Sequence, residues 1–308
     1  MKTIEIHMVN AFTVNREGGN PAGVVLQADG LSFNEKLKIA QTVGYSETAF
    51  VSEDNNADVE LSFFTVTGEV DFCGHATLAA FSLMFQKGIL QEGDYTQRTK
   101  AGMLGVSITN EGNVVMGQKP PEFIQNLTYE AVSELIGIAP DILASTQLPV
   151  EIVSTGLPDI IVALPRGYLD QINLNADKTI AFCHQFNAVG IHAFELYEPS
   201  SYFTASCRNF APILGIAEES ATGSASGALA CYLEKHGFEG KSIKDKRIEG
   251  HEQSGSNSVF NYVFEQGRAM QCSSCILATV VVSGSDKKKL DVTVGGTASF
   301  IGTKVIAL

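Results

Sequence analysis

Basic charge is what this sequence has least of: 21 Lys and Arg stand against 34 Asp and Glu in 308 residues, a formal charge of −13. Such a field repels phosphate backbones and anionic membrane surfaces, so neither nucleic acid nor a membrane is an expected partner. An anionic substrate would have to be captured by local dipoles. Long apolar runs are missing as well. No stretch of about 18 apolar residues is available to span a bilayer, and Met1-Lys2-Thr3-Ile4-Glu5-Ile6-His7 has an early acid and no apolar h-region. Export is therefore not expected. The six cysteines, Cys73, Cys183, Cys207, Cys231, Cys272 and Cys275, are sparse for a chain of this length and are expected as reduced thiols in a cytoplasmic protein. Nucleotide signatures are absent: there is no P-loop, and no GxGxxG opens a helix after a strand. Cys272-Ser273-Ser274-Cys275 has CxxC spacing, but no second pair or histidine cluster completes a zinc site, so no metal and no cofactor are assigned.

What is present is apolar material, 44% of residues, enough for two cores at roughly 100–200 residues per domain. Thr3 to Val9 alternates as a strand, and the turn Gly18-Gly19-Asn20-Pro21 leads into a second, Ala22 to Leu26. Ser32-Phe33-Asn34-Glu35 reads as a capping box opening a short helix that Gly44 stops. Tyr45 to Val51 has strand composition with one carboxylate, Glu47, at its centre. Two later segments carry no charge and read as buried helices. One opens at Cys73-Gly74-His75-Ala76-Thr77 and closes at Lys87-Gly88; the other opens at Ala221-Thr222-Gly223-Ser224 and closes at Glu234-Lys235-His236-Gly237. They are variants of one design and imply an internal duplication. Their small residues, Ala76, Ala79 and Ala80 in one and Ala225, Ser226, Gly227, Ala228 and Ala230 in the other, allow strands to approach closely from several sides. Gln118-Lys119-Pro120-Pro121 is the expected crossing between lobes. The expected lobes are 1–119 and 120–296, with a last strand at about 297–308 left open to rejoin the first. A polar loop is expected over Gly284 to Lys289.

Each buried helix starts at a glycine-containing turn, so first-turn amides and the positive dipole end face one region. If pseudo-symmetry sets the two N-termini across one cleft, a substrate carboxylate is held without Lys or Arg. The plainer alternative is that Gly74 and Gly223 only permit tight turns while Thr77 and Ser224 cap helices. Glu47 has two readings: a solvated acid at a sheet edge, or a half-buried general acid/base. His75 either orients substrate and relays a proton or bonds its own turn. Cys73, at a helix N-terminus, is a candidate thiol base. The matching position downstream is about Ser220, so a two-thiol mechanism lacks its partner.

At Gly18-Gly19-Asn20-Pro21-Ala22-Gly23-Val24, Tyr45-Ser46-Glu47-Thr48-Ala49-Phe50, Cys73-Gly74-His75-Ala76-Thr77-Leu78-Ala79, Phe210-Ala211-Pro212, Ala221-Thr222-Gly223-Ser224-Ala225 and Val294-Gly295-Gly296, the sequence resembles the PhzF-like isomerase family of the diaminopimelate-epimerase-like fold. The resemblance implies an α+β chain of two pseudo-symmetric lobes, each a curved, mostly antiparallel sheet wrapped around a central helix. It implies a cofactor-independent isomerase, often a homodimer, acting on a small carboxylate-bearing substrate. Glu47 would move the proton, with His75, Glu219 and Ser224 positioning or relaying it and Asn20, Gly74, Thr222 and Gly223 contacting substrate. Three departures stand out. Glu219-Ser220 replaces the usual Asp-Pro, Phe63-Phe64-Thr65-Val66 stands where a Thr-Pro is usual, and Gln271-Cys272-Ser273 replaces Gly-Arg-Pro. The phenazine enzyme has alanine at the position of Cys73, so a phenazine substrate is not implied. Two other functions stay open: a two-base amino-acid epimerase or racemase using Cys73, and a non-catalytic carboxylate-binding protein.

Overall fold

Side-chain alternation and turn chemistry place the elements much as local rules require. In a computed structural model, which describes residues 2–238, 258–284 and 289–308, the architecture is mixed α+β. In chain order the first elements are β1 (Thr3–Ala11), β2 (Asn20–Val25), α1 (Phe33–Val43), β3 (Glu47–Ser52), β4 (Val59–Phe64), β5 (Glu69–Val70), α2 (Gly74–Gln86), β6 (Gly93–Thr99), β7 (Gly102–Ile108) and β8 (Val114–Gly117). There follow β9 (Glu122–Leu127), α3 (Tyr129–Ile136), α4 (Pro140–Ala144), β10 (Val150–Ser154), β11 (Pro158–Leu164), α5 (Ala176–Phe186), β12 (Gly190–Leu196), β13 (Ala205–Ala211) and β14 (Ile216–Glu219). The last are α6 (Gly223–Lys235), β15 (Ser258–Gln266), β16 (Ser274–Ser283), β17 (Lys289–Gly296) and β18 (Ala298–Ala307). The expected polar loop 284–289 lies for the most part outside the described residues. No helix among the described residues is long and apolar enough to cross a membrane.

The described residues divide into two units, the first of 2–117 with 295–308, the second of those between 118 and 294. In unit one, β18 pairs antiparallel with β1 along its length, from Thr3↔Ala307 to Ala11↔Ala298. The ladder continues as β1/β2 antiparallel, β2/β3 parallel, β3/β4 antiparallel, β4/β6 parallel, then β6/β7 and β7/β8 antiparallel. In unit two the same series of senses recurs: β9/β10 and β10/β11 antiparallel, β11/β12 parallel, β12/β13 antiparallel, β13/β15 parallel and β15/β16 antiparallel. A helix crosses each parallel pair, α1 and then α2 in unit one, α5 and then α6 in unit two, as parallel neighbours require.

The helices divide into two kinds. α1 buries only Ile39 and Ala40 fully and closes a small cluster with Ile4, Ile6, Val25, Phe50 and Phe64. Its Ser32 accepts from the Glu35 amide while Glu35 bonds back to the Ser32 amide, and Gly44 ends it in the left-handed conformation. α2 is buried on every side from His75 to Met84 and packs on β1, β2, β3, β7, β8 and β18. α6 is buried from Ala225 to Leu233 and packs on β10, β11, β15 and β16. A Cβ on Gly227 would meet Val294 at 3.1 Å and Thr155 at 3.2 Å, so the small residue there is what lets the strands close on α6. The charge-free runs His75–Met84 and Ala225–Leu233 have this physical cause: neither has a face turned to water.

Candidate active site

In unit one the parallel β2/β3 pair sets Ala22 opposite Glu47 and Gly23 opposite Thr48. Glu47 is the first residue of β3, since Gly44 turns the chain and Tyr45-Ser46 form a bend. The expected strand thus begins two residues later than Tyr45, and Glu47 sits at its end rather than at its centre. From there its Oε2 lies 3.3 Å from His75 Nε2, the two side chains being 16% and 6% exposed. The other ring nitrogen, Nδ1, is 3.4 Å from Cys73 Sγ. One imidazole therefore joins the two groups that the sequence offered as rival bases.

The helix start explains the placement. Cys73 is the N-cap of α2 in extended conformation and makes no side-chain cap bond. The hydroxyl of Thr77 turns back to donate to the Cys73 carbonyl at 2.9 Å. Thr77 is thus not the cap, which corrects the plainer alternative of the sequence. Likewise α6 starts at N-cap Thr222 without a side-chain cap bond, and Ser224, its second residue, is not the cap either. The positive end of the α2 dipole faces the Cys73 sulfur and favours negative charge there. Asn20, at the start of β2, and Gly74, the first residue of α2, belong to the same unit. Glu47, Cys73 and His75 place one donor atom each within 4.8 Å of one another.

Unit two gathers a different set. Glu219, last residue of β14, accepts at Oε2 from the Thr222 hydroxyl at 2.6 Å. Gln266, fully buried at the end of β15, donates to the Glu219 carbonyl at 2.7 Å and to Thr222 Oγ1 at 3.0 Å. Its Oε1 accepts from the Thr222 amide at 3.1 Å. One amide side chain therefore fixes the turn between β14 and Gly223. Gln266 escaped the reading of the sequence; the only local signal was an uncharged polar residue at a strand end before Gly267. Asp159 escaped it too. It is 2% exposed on β11, and burial, with the nearby Glu219 carboxylate, pushes its carboxyl up to about 7.

Hydrogen bonds are made at or beside the other two departures as well. Thr65 Oγ1 accepts from the amides of Thr67 and Gly68 at 3.1 and 3.2 Å, holding a turn where proline is usual. Arg268 precedes the arginine-less Gln271-Cys272-Ser273 and donates to Glu195 at 2.9 Å, Asp170 at 3.0 Å and the Tyr197 hydroxyl at 3.0 Å.

Comparison with known proteins gives a consistent result. The family model for phenazine biosynthesis-like proteins matches residues 9–303. An isomerase of Salmonella typhimurium, YddE, described as uncharacterized, is 32% identical over 303 residues, 96% of this chain and 95% of its own. The crystal structure of a PhzF-family phenazine biosynthesis protein from Bacillus anthracis superimposes with a TM-score of 0.84 at 27% identity and covers 100% of both chains. A hydroxyproline epimerase from Agrobacterium vitis shares the fold, with a TM-score of 0.60 at 10% identity over 99% of this chain and 93% of its own.

Proposed function

The chain belongs to the phenazine biosynthesis-like family, and from that premise we propose that it is an isomerase shifting a proton on a small carboxylate-bearing substrate, with Glu47 as general acid/base. The observation that carries this reading is the contact of Glu47 Oε2 with His75 Nε2. The imidazole lies at ion-pair distance from the carboxylate and is placed to pass a proton to or from it. The first-turn amides of α2 are the carboxylate-binding element, supplying partial positive charge without a cationic side chain. Glu47 removes an activated C–H proton and returns it at another carbon of the same face. No cofactor enters these steps. We also read the recurrent series of strand senses as the duplication seen in the sequence, each lobe a sheet about its buried helix. Within unit two the Glu219 carboxylate is fixed by Thr222 beside Gly223 and Ser224 at the start of α6.

Incubation with small unsaturated and amino carboxylic acids in deuterium oxide tests the proposal. Deuterium incorporation is expected for the wild type and is expected to vanish in Glu47→Gln; full exchange in that variant would remove Glu47 from the mechanism. A second reading has its own support, because Cys73 Sγ lies against His75 Nδ1, an arrangement that can generate a thiolate base for an epimerase. Cys73→Ala separates the two. Turnover held within about tenfold supports the Glu47 isomerase, and loss by the 10²–10⁴-fold of a general base, on that order of magnitude, supports the epimerase.

A further inference from the structure

We propose that Glu47, Cys73 and His75 also form a binding site for a thiophilic divalent cation of the Zn2+ class, and that the bound ion holds the isomerase off by occupying its proton-transfer groups. The donor set is one thiol, one imidazole and one carboxylate, the three ligand types zinc sites use. Metal–ligand lengths of about 2.3 Å to sulfur and 2.0–2.1 Å to nitrogen or oxygen give tetrahedral edges of about 3.5 Å for S···N and about 3.3 Å for N···O. The 3.4 Å from Cys73 Sγ to His75 Nδ1 matches the first of these edges, while Glu47 Oε2 lies 3.3 Å from the other ring nitrogen, Nε2. An imidazole offers one nitrogen to a given ion, so the third donor must swing in. The three donor atoms already lie within 4.8 Å of one another, a gap that rotation of the Cys73 or Glu47 side chain closes.

Charge balance favours the ion over its absence. The thiol releases its proton to solvent as the metal–sulfur bond forms, and thiolate plus carboxylate then neutralise the two positive charges, with the imidazole neutral. The positive end of α2 opposes a cation, but the thiolate and carboxylate lie closer to the ion than the helix axis does and outweigh half a unit charge. With three protein ligands the fourth position stays open to water or to a substrate carboxylate. Among the other thiols, burial pushes Cys183 up to about 11 and Cys231 up to about 12 and raises Cys207 well above the usual range, which makes them poor ligands. The competing thiols are Cys272 and Cys275, both half-buried.

Binding is independent of the isomerase reading, and only the inhibition rests on it. The test is titration of the full chain with Co2+ alone, following the thiolate-to-cobalt charge-transfer band, with Zn2+ as competitor and circular dichroism as the check on folding. One equivalent of band is expected in the wild type and in the Cys272→Ser/Cys275→Ser double variant. The band is expected to be lost in Cys73→Ser, and affinity to fall by at least about tenfold in Glu47→Gln. No band in the wild type, or a band that survives Cys73→Ser and disappears in the double variant, overturns the site. Zn2+ that binds through Cys73 yet leaves deuterium exchange unchanged overturns the inhibitory half. A chain that shows the Cys73-dependent band but exchanges no acid keeps the metal site and loses the isomerase reading.

Discussion

The parallel strand pair β2/β3 of unit one and its counterpart β11/β12 of unit two have the same sense, yet they carry their acids on opposite strands. Unit one puts Ala22 opposite Glu47, and unit two puts Asp159 opposite Gly190. Glu47 and Gly190 are each the first residue of the second strand. Unit two has no room for a side chain there, because a Cβ on Gly190 would lie 2.0 Å from the Phe210 carbonyl oxygen. The acid of unit one is half-buried and meets an imidazole. That of unit two is buried, and its proton is held tightly by desolvation. Two strand pairs of like sense thus leave one carboxylate half-buried beside an imidazole and seal the other.

Three substitutions probe this comparison before the smallest one at the end. Glu47→Gln removes the exchanging acid while leaving its shape, and is expected to lower deuterium incorporation by about 10²–10⁴-fold with little change in thermal unfolding. Were stability to collapse with activity untouched, Glu47 would be as structural as Asp159. The converse is expected of Asp159→Asn. In the folded chain Asp159 keeps its proton to about pH 7, against 3.8 in the unfolded chain. The folded state therefore binds the extra proton, and stability is full below about pH 4 and lost as pH rises through 7. The loss at pH 8 is on the order of 4 kcal/mol. Asp159→Asn is expected to be more stable than wild type at pH 8 and equal to it near pH 4, the difference in urea-unfolding free energy growing between the two; a difference independent of pH would show that Asp159 is not the group responsible. His192 runs oppositely. Burial lowers it to about 4, so its contribution is lost as pH falls from 6.5 toward 4; across that window its rise with pH offsets the fall caused by Asp159, and the two together hold the wild type nearly level. Gly190→Ala is expected to cost about 3 kcal/mol in urea unfolding, since backbone must move to admit the methyl.

Much of unit one was legible because local chemistry decides it. Ser32, Glu35 and Gly44 mark both ends of α1, and the charge-free runs after Gly74 and Gly223 mark helices wrapped on all sides. The stretch from Leu127 to Leu196 was not read, although it contains α3, α4 and α5. Their apolar positions, such as Val132, Leu135 and Ile136, are clear only when their partners Ile152, Ile160 and Cys183 are known. The carboxylate, imidazole and thiol of the site were each singled out from the sequence, but as rivals. What pattern could not supply was the ring of His75 between them, because the packing of α2 on β3 is tertiary and leaves no local signal. Gln266 and Asp159 were invisible for a related reason: the importance of a buried polar residue lies in the groups that surround it, and those come from other strands.

The smallest effect contrasts the two kinds of helix start in unit one. At α1 the Ser32 hydroxyl and the Glu35 carboxylate satisfy each other's backbone amides, with Ser32 N to Glu35 Oε2 at 2.7 Å and Glu35 N to Ser32 Oγ at 3.4 Å. At α2 the N-cap is Cys73, and no side-chain cap bond exists to lose. Ser32→Ala is expected to cost about 1 kcal/mol in urea unfolding and to leave deuterium exchange unchanged, since the exposed cap touches nothing near Glu47. Cys73→Ala removes no cap, so any change in exchange it produces cannot be assigned to fraying of α2. If Ser32→Ala lowered exchange as strongly as Cys73→Ala did, the distinction between a helix start built for stability and one left open for chemistry would be lost.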